Sequence, residues 1–325
     1  MGGRVTWLLP VKNGMPYITE TLASIGAQTY RDWEVLAWDN GSTDGTADEL
    51  RRWIPSRLPG RVVADEPLSL GVSLARLVEQ APTELCARID ADDVNLPGRL
   101  SEQVAFLSAR PEVGAVGTWV EHIDEQGRVR PCPEAWNLPT EDAELRWHAR
   151  WATPLHHPTV MFRRSVVLDA GNYADRMPYE DHDLWLRVAL VAGLANIPRP
   201  LVRYRVHSAS VTARASGAGR AGQHPVAALH AGSLFGDTEA GAALELRDKV
   251  QGQTAGRVRL SDVAELRRAA GRAAVASGLP PGYFRSTRLY AAQRRTLLGK
   301  WLRQSAPGRL LLASKRAAAG GTLSR

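Results

Sequence analysis

The sequence predicts an α/β protein, a mostly parallel central sheet flanked by helices and followed by an α-helical C-terminal extension. Three observations carry this prediction. In the first half of the 325 residues, short apolar or β-branched runs alternate with amphipathic stretches, the pattern of a parallel sheet covered by helices. Three of those runs end in acidic and small residues, which suits strands that meet a ligand at their carboxyl ends. Beyond Gly222 only helical patterns remain.

The predicted strands are Val5 to Leu9, Glu34 to Asp39, Arg61 to Ala64, Leu85 to Asp90 and Ala115 to Val120. Helices are expected between them near Tyr17 to Gln28, Thr46 to Trp53, Val72 to Gln80 and Pro97 to Ser108. After Val120 the period changes. Glu121 to Arg130, with Glu125-Gln126-Gly127 as its turn, reads as a hairpin and Glu141 to Trp151 as a helix. A strand at Thr159 to Phe162, a helix from about Asp181 through Leu184, Val188 and Val191, and a strand at Leu201 to Val206 follow. The Ala-, Gly- and Ser-rich run from Ala213 to Gly222 reads as a linker or mobile loop.

Composition narrows the class. An apolar fraction of 44% and a charged fraction of 23% are ordinary for a soluble globular protein. Cys86 and Cys132 offer neither a disulfide framework nor metal-ligand spacing, which fits a reducing, cytoplasmic setting. No N-terminal signal is expected, because Val5 to Leu9 serves as a strand, and no apolar run has membrane-spanning length. The net charge of +7 belongs to the tail: from Gln251 onward there are 15 Lys/Arg against 2 Asp/Glu, so the remainder is net acidic. In Arg285 to Gln304, Tyr290, Leu297, Leu298, Trp301 and Leu302 fall near one helical face, with arginines and Lys300 elsewhere. Such a helix either packs on a domain or lies on an anionic membrane. Nucleic-acid binding is disfavoured, since no recognisable module interleaves aromatics with the charge.

Two acidic groupings and one loop carry chemistry. Arg88-Ile89-Asp90-Ala91-Asp92-Asp93 crowds three carboxylates at a strand end, where they repel one another unless a divalent cation sits among them. An acidic cap on the helix near Pro97 is the alternative. Asp39-Asn40-Gly41-Ser42-Thr43-Asp44-Gly45-Thr46 places an acid at a strand end, then glycines that let a backbone approach a ligand. There Thr43 or Asp44 is read as a helix cap and Asp39 as a contact to a base N–H. Glu180, Asp181 and Asp183 either serve as acid-base groups or favour a helix N-terminus.

Taken in order, Pro10-Val11-Lys12-Asn13-Gly14, Asp39 to Thr46, Ala87 to Asp93, His157 to Arg164, Glu180 to Arg187 and Tyr204-Arg205-Val206-His207 resemble the signatures of family 2 glycosyltransferases. The resemblance spans roughly residues 4 to 212. It implies a GT-A type, Rossmann-like fold and inversion at the anomeric carbon. It also implies a nucleotide-diphosphate-sugar donor, with UDP favoured and dTDP or GDP as alternatives, and Mn2+ or Mg2+ as cofactor. Residues 1–212 would form the catalytic domain, with a nucleotide-sugar half at 1–120 and an acceptor half at 121–212. A linker at 213–224 and a basic helical region at 225–325 would follow.

By the same resemblance, Asp39 faces the base, with Pro10, Val11 and Asn13 lining that pocket. Gly71, Arg76, Arg88, Asp90 and Ala91 belong to the donor site, and Asp92, of the DXD motif, is the metal ligand. Asp181 is the general base beside Glu180, and His207 a further metal ligand. His157 shapes the acceptor side or packs behind the sheet. Two departures stand out: Leu77 occupies a position where many relatives have asparagine, and Trp38 either stacks near the base or fills the core. The acceptor implied is a saccharide or lipid-linked hydroxyl in surface polysaccharide or glycoconjugate assembly; a peripheral membrane contact through the basic helices, the membrane-lying alternative above, would suit a lipid-linked one. A non-catalytic nucleotide-sugar or saccharide-binding module of the same fold is the alternative. A sugar-phosphate nucleotidyltransferase is disfavoured, because Leu8 to Gly14 lacks a glycine- and arginine-rich phosphate loop.

Overall fold

The structure, a computed structural model, describes residues 3–64, 67–133, 136–149, 152–175, 179–208, 210, 258–276, 278–280, 282–286 and 288–304. The chain divides into two units, Met1–Ala215 and Ser216–Arg325. The linker expected at 213–224 lies outside the described residues.

The first unit is built on strands β1 (Val5–Val11), β2 (Trp33–Asp39), β3 (Gly60–Ala64), β4 (Leu85–Arg88), β5 (Val94–Asn95), β6 (Val113–Ile123), β7 (Val129–Arg130), β8 (Met161–Arg163) and β9 (Gly193–Arg205). They form one sheet in the order β3-β2-β1-β4-β8-β6-β9-β5, with β7 hairpinned onto β6. The pairs β3–β2, β2–β1, β1–β4 and β6–β9 are parallel, whereas β8 runs antiparallel between β4 and β6. This is the mostly parallel, helix-flanked sheet that the sequence predicts.

The helices of this unit are α1 (Ile18–Gly26), α2 (Thr46–Trp53), α3 (Leu70–Gln80), α4 (Arg99–Ala109), α5 (Asp142–Ala149), α6 (Arg164–Asp169) and α7 (Glu180–Val191). Alternation along β1 sorts them between two faces. Val5, Trp7, Leu9 and Val11 meet α1 and α4 through Leu22, Ile25, Leu100 and Val104. Leu8 turns the other way, into a core with Leu74, Leu77, Leu184 and Trp185 of α3 and α7. Trp38 joins that second core at 7% exposure, so it fills the interior. Leu77, fully buried, faces the same core, which explains an apolar residue at that position.

Several boundaries differ from the sequence expectation. β4 stops at Arg88, two residues early, because Ile89 and Asp90 leave the sheet to begin the acidic loop. β9 starts at Gly193 and pairs with β6 along its whole length. Pro198 and Pro200 within it obscured that run. The strand expected from Thr159 is a 3-10 turn, His157–Thr159, followed by β8.

In the second unit, α8 (Leu260–Ala276) and α9 (Arg288–Gln304) pack against each other, joined by a 3-10 turn at Tyr283–Ser286. Leu266, Ala270, Ala274 and Leu297 are buried, while Arg294, Arg295 and Arg303 are exposed. Among the described residues no helix is long and apolar enough to cross a membrane.

Candidate active site

The parallel register brings Val11 opposite Asp39 and Leu8 opposite Arg88, so three strand ends and their loops collect along one edge of the sheet. The loops after β1 and β2 are stitched together. Asn13, left-handed at φ 53°, donates its backbone N–H to Ser42 Oγ at 2.8 Å, and its Oδ1 accepts from the Thr43 N–H at 2.9 Å. Gly14 N–H donates to Thr46 Oγ1 at 2.8 Å and Met15 N–H to Asp44 Oδ2 at 2.9 Å. Asp44 Oδ1 also accepts from the Thr46 N–H at 3.1 Å, so Asp44 ties the two loops just ahead of α2, whose N-cap is the left-handed Gly45 and not the expected Thr43 or Asp44. Asp39, 7% exposed, accepts from the Ser42 N–H at 3.0 Å and hydroxyl at 2.5 Å through Oδ1. Pro10 is buried in β1 beside it.

The acidic loop gives its carboxylates unequal surroundings. Asp90 is gripped by both terminal nitrogens of Arg88, at 2.6 Å for Nη1 to Oδ2 and by a short contact from Nη2 to Oδ1. The Arg88 side chain is 2% exposed, and its carbonyl accepts from Arg99 Nη2 at 2.7 Å. The Ala91 carbonyl accepts from Thr21 Oγ1 at 2.9 Å, which ties the loop to α1. Asp92 Oδ2 lies 2.8 Å from His207 Nε2. Asp93 is buried; Oδ1 accepts from the Arg205 N–H at 2.8 Å, while Oδ2 has no partner. Burial first, then the charges of Asp92 and Asp90, push the Asp93 carboxyl well above the usual range.

One carboxylate oxygen from each of Asp90, Asp92 and Asp93 lies within 4.8 Å of the others. These hard oxygen donors, with an unsatisfied buried oxygen on Asp93, fit Mg2+ or Mn2+, and an imidazole beside Asp92 suits the latter. Because Arg88 occupies both oxygens of Asp90, Asp92 and Asp93 are the freer pair.

The second acidic grouping opens α7. Glu180 is buried, with Oε1 3.8 Å from His157 Nδ1 and Oε2 without a partner. Burial, and then the charge of Asp181, raises its carboxyl to about 7. Asp181 Oδ1 accepts from the His182 N–H at 2.7 Å and Oδ2 from Thr153 Oγ1 at 3.4 Å. Asp183 is different: it is buried in an ion pair with Arg187 at 2.6 Å and serves the helix.

Asp90, Asp92, Asp93, Glu180 and Asp181 all line one cleft of about 290 Å³. A larger cavity of about 470 Å³ lies by Val113 and Gly193, at the amino ends of β6 and β9. The smaller cleft has the position expected of a ligand site in such a sheet.

Two residues assigned to the donor site have other tasks in the structure. A Cβ on Gly71 would come 2.4 Å from the Ala174 carbonyl and 3.4 Å from Glu180 Cβ, so its bare backbone seats the segment leading into α7. Arg76 is exposed and pairs with Glu79 at 3.1 Å, outside the cleft lining. Five residues past Gly71 is about 140° round the helix, which carries Arg76 off the face that Gly71 presents. His157 lines the cleft and bonds Tyr173 Oη at 3.0 Å.

Sequence reasoning missed Arg205. Its side chain is 1% exposed; Nε donates to the Asp92 carbonyl at 2.8 Å, Nη1 to the Asp124 carbonyl at 3.0 Å and Nη2 to Glu20 at 2.5 Å. Its guanidinium carbon also lies 4.5 Å from the centroid of Tyr17, the ring that tilts against His207. The Tyr204 to His207 block held the signal, but only its histidine has an obvious chemistry.

An open α/β sheet whose carboxyl edge joins an aspartate cluster to a Glu-Asp pair defines the GT-A class of glycosyltransferase. Comparison with known proteins agrees. The profile of glycosyl transferase family 2 matches residues 6–170. The amylovoran biosynthesis glycosyltransferase AmsE of Erwinia amylovora is 32% identical over 200 residues, covering 61% of this chain and 73% of that protein. Residues 1–349 of S. aureus TarS, solved in complex with UDP-GlcNAc, superpose with a TM-score of 0.60 at 17% identity, covering 92% of this chain and 89% of that one. The mannosyltransferase PcManGT of Pyrobaculum calidifontis, solved with GDP-Man and Mn2+, gives 0.56 at 21% identity, over 98% and 81%. At these identities the structures show the fold alone. The chain belongs to glycosyl transferase family 2 and is a glycosyltransferase.

Proposed function

We propose that the protein transfers one sugar, with inversion, from a nucleotide-diphosphate-sugar donor to an acceptor hydroxyl, in a reaction that depends on Mn2+ or Mg2+. The observation that carries this reading is the meeting of the aspartate cluster and the Glu180-Asp181 pair in one cleft. Direct displacement at the anomeric carbon needs a base on the acceptor side and charge stabilisation on the leaving side. Asp181 is the base: its carboxylate takes the acceptor proton as the oxygen attacks, with Thr153 and the His182 N–H holding it in place. Asp92 holds the metal, joined by Asp93 and His207. When bound, the cation offsets the charge of the departing diphosphate.

The donor's base sits by Asp39, with Pro10, Val11 and Asn13 around it, and Asp90, kept in place by Arg88, faces the ribose or sugar. UDP is the favoured nucleotide; the complexes of TarS with UDP-GlcNAc and of PcManGT with GDP-Man support the general donor class. The acceptor is a saccharide or lipid-linked hydroxyl, and the setting is cytoplasmic, peripheral to the membrane face where such acceptors are built.

The test is a pair of variants assayed against UDP-, dTDP- and GDP-sugars. Asp92→Ala abolishes manganese-dependent donor binding. Asp181→Asn keeps donor binding and lowers transfer by about 10²- to 10⁴-fold. Near-normal turnover by Asp181→Asn would falsify the base assignment.

A further inference from the structure

Trp136, His156 and Tyr204 line the same cleft as the carboxylates. Trp136 is partly exposed and stacks on His156, with centroids 5.1 Å apart and planes at 17°. Its carbonyl is 2.8 Å from His156 Nε2. Tyr204 packs against it at 5.2 Å, and the buried His122, whose Nε2 has no partner, meets it edge to face at 4.5 Å. The segment that presents Trp136 is pinned to the sheet. Trp119 Nε1 on β6 donates to the Leu138 carbonyl at 2.9 Å, and Asn196 Nδ2 on β9 donates to the Pro139 carbonyl at 2.8 Å.

We propose that Trp136, flanked by Tyr204, is the platform on which the acceptor's pyranose ring stacks, with His156 as the polar group at its rim and the buried His122 bracing the indole edge-on. This rests on the glycosyl-transfer reading above. A pyranose has an apolar C–H face ringed by hydroxyls; an indole face held rigidly next to carboxylates and imidazoles complements both parts. The nucleobase is not the occupant. In the sheet order, β9, which carries Tyr204, lies five strand positions from β2, which carries Asp39. At ordinary strand spacing that is roughly 24 Å along the sheet. The aspartate cluster falls between the two, so one ligand end belongs to each side.

The experiment is saturation-transfer NMR on the full chain. The probes are methyl glycosides of glucose, galactose, mannose and N-acetylglucosamine, with UDP and Mn2+ as the donor-side control. The methyl aglycone carries no aromatic ring, so any stacking is by the pyranose itself. The wild type gives transfer to the C–H protons of at least one glycoside. Trp136→Ala loses that signal or weakens it about tenfold, Trp136→Phe retains part of it, and both bind UDP as the wild type does. Silence from every glycoside with the wild type, an undiminished signal in Trp136→Ala, or joint loss of sugar and UDP binding in that variant would each overturn the platform. Failure of the donor reading looks different: the wild type then ignores UDP while the glycoside signal still depends on Trp136.

Discussion

Arg205 shows how a residue with no evident chemistry organises those that have it. From one buried guanidinium and one backbone N–H it fixes the Asp92 carbonyl, Asp93 Oδ1 and Glu20. Arg205→Ala leaves the Asp92 and Asp124 carbonyls without these donors; a loss of about 2–3 kcal/mol in urea melts is expected, scaled down because the Glu20 side chain is 53% exposed. Glu180 gives a pH signature. Its carboxyl is raised to about 7 by burial and Asp181, so between the ordinary value of 4.5 and 7 the folded state binds more protons than the unfolded one. Stability therefore falls as pH rises through that window. Glu180→Gln removes the penalty, and is expected to stabilise by roughly 1–3 kcal/mol at pH 8 and hardly at all near pH 4.5, measured as paired denaturant melts. The acidic residues themselves were legible from their spacing. Their division of labour was not, because Arg88 claiming Asp90 and Arg187 claiming Asp183 are contacts that depend on side-chain direction.

At the level of elements, α3 is tied to residues 172–175 and, through Gly71, comes against Glu180 at the start of α7. Gly71 lies in the first turn of α3 against the Ala174 carbonyl, Ser69 Oγ donates to Asp175 at 2.5 Å, and Asn172 Nδ2 donates to the Ala75 carbonyl at 3.1 Å. Gly71→Ala forces these apart. A cost of about 1–3 kcal/mol in thermal or urea melts follows from overpacking, with about a hundredfold loss of turnover from displacement of Glu180 and Asp181. Donor binding unchanged alongside that loss identifies the acid pair as what moved. Helix α2 was readable to the residue, since its period and the turn that Asp44 closes onto Thr46 are local, although Gly45 and not Asp44 takes the N-cap position. The two-residue β5 and the first half of β9 were not. Their pairing partners lie about a hundred residues or less apart in sequence but side by side in the sheet, and short or proline-bearing strands carry little period of their own.

Over the whole molecule, both hydrophobic cores are drawn from residues 5–202. Residues 1–215 expressed alone are expected to unfold in one cooperative transition and to keep the donor-dependent thermal shift of the full chain. Non-cooperative melting of that fragment would mean that the helical unit completes the fold. For α9, burial of Leu297 favours the helix-packing alternative over a membrane-lying one. Flotation on anionic liposomes is expected to be the same with and without residues 280–325; loss of flotation on truncation would restore the membrane role.

The sequence by itself determined the alternation of strands and helices, the acidic loop, the Glu-Asp pair and the family, because each is written in local period or contiguous residues. Only the tertiary structure decided that Gly71 is a seat for α7, that Arg76 lies outside the cleft, and that Arg205 braces the aspartates. It also decided that Trp136, His156 and Tyr204 share a cleft with groups more than forty residues away on another loop. Those outcomes depend on which faces are buried and which strands are neighbours, and packing sets both across long stretches of chain.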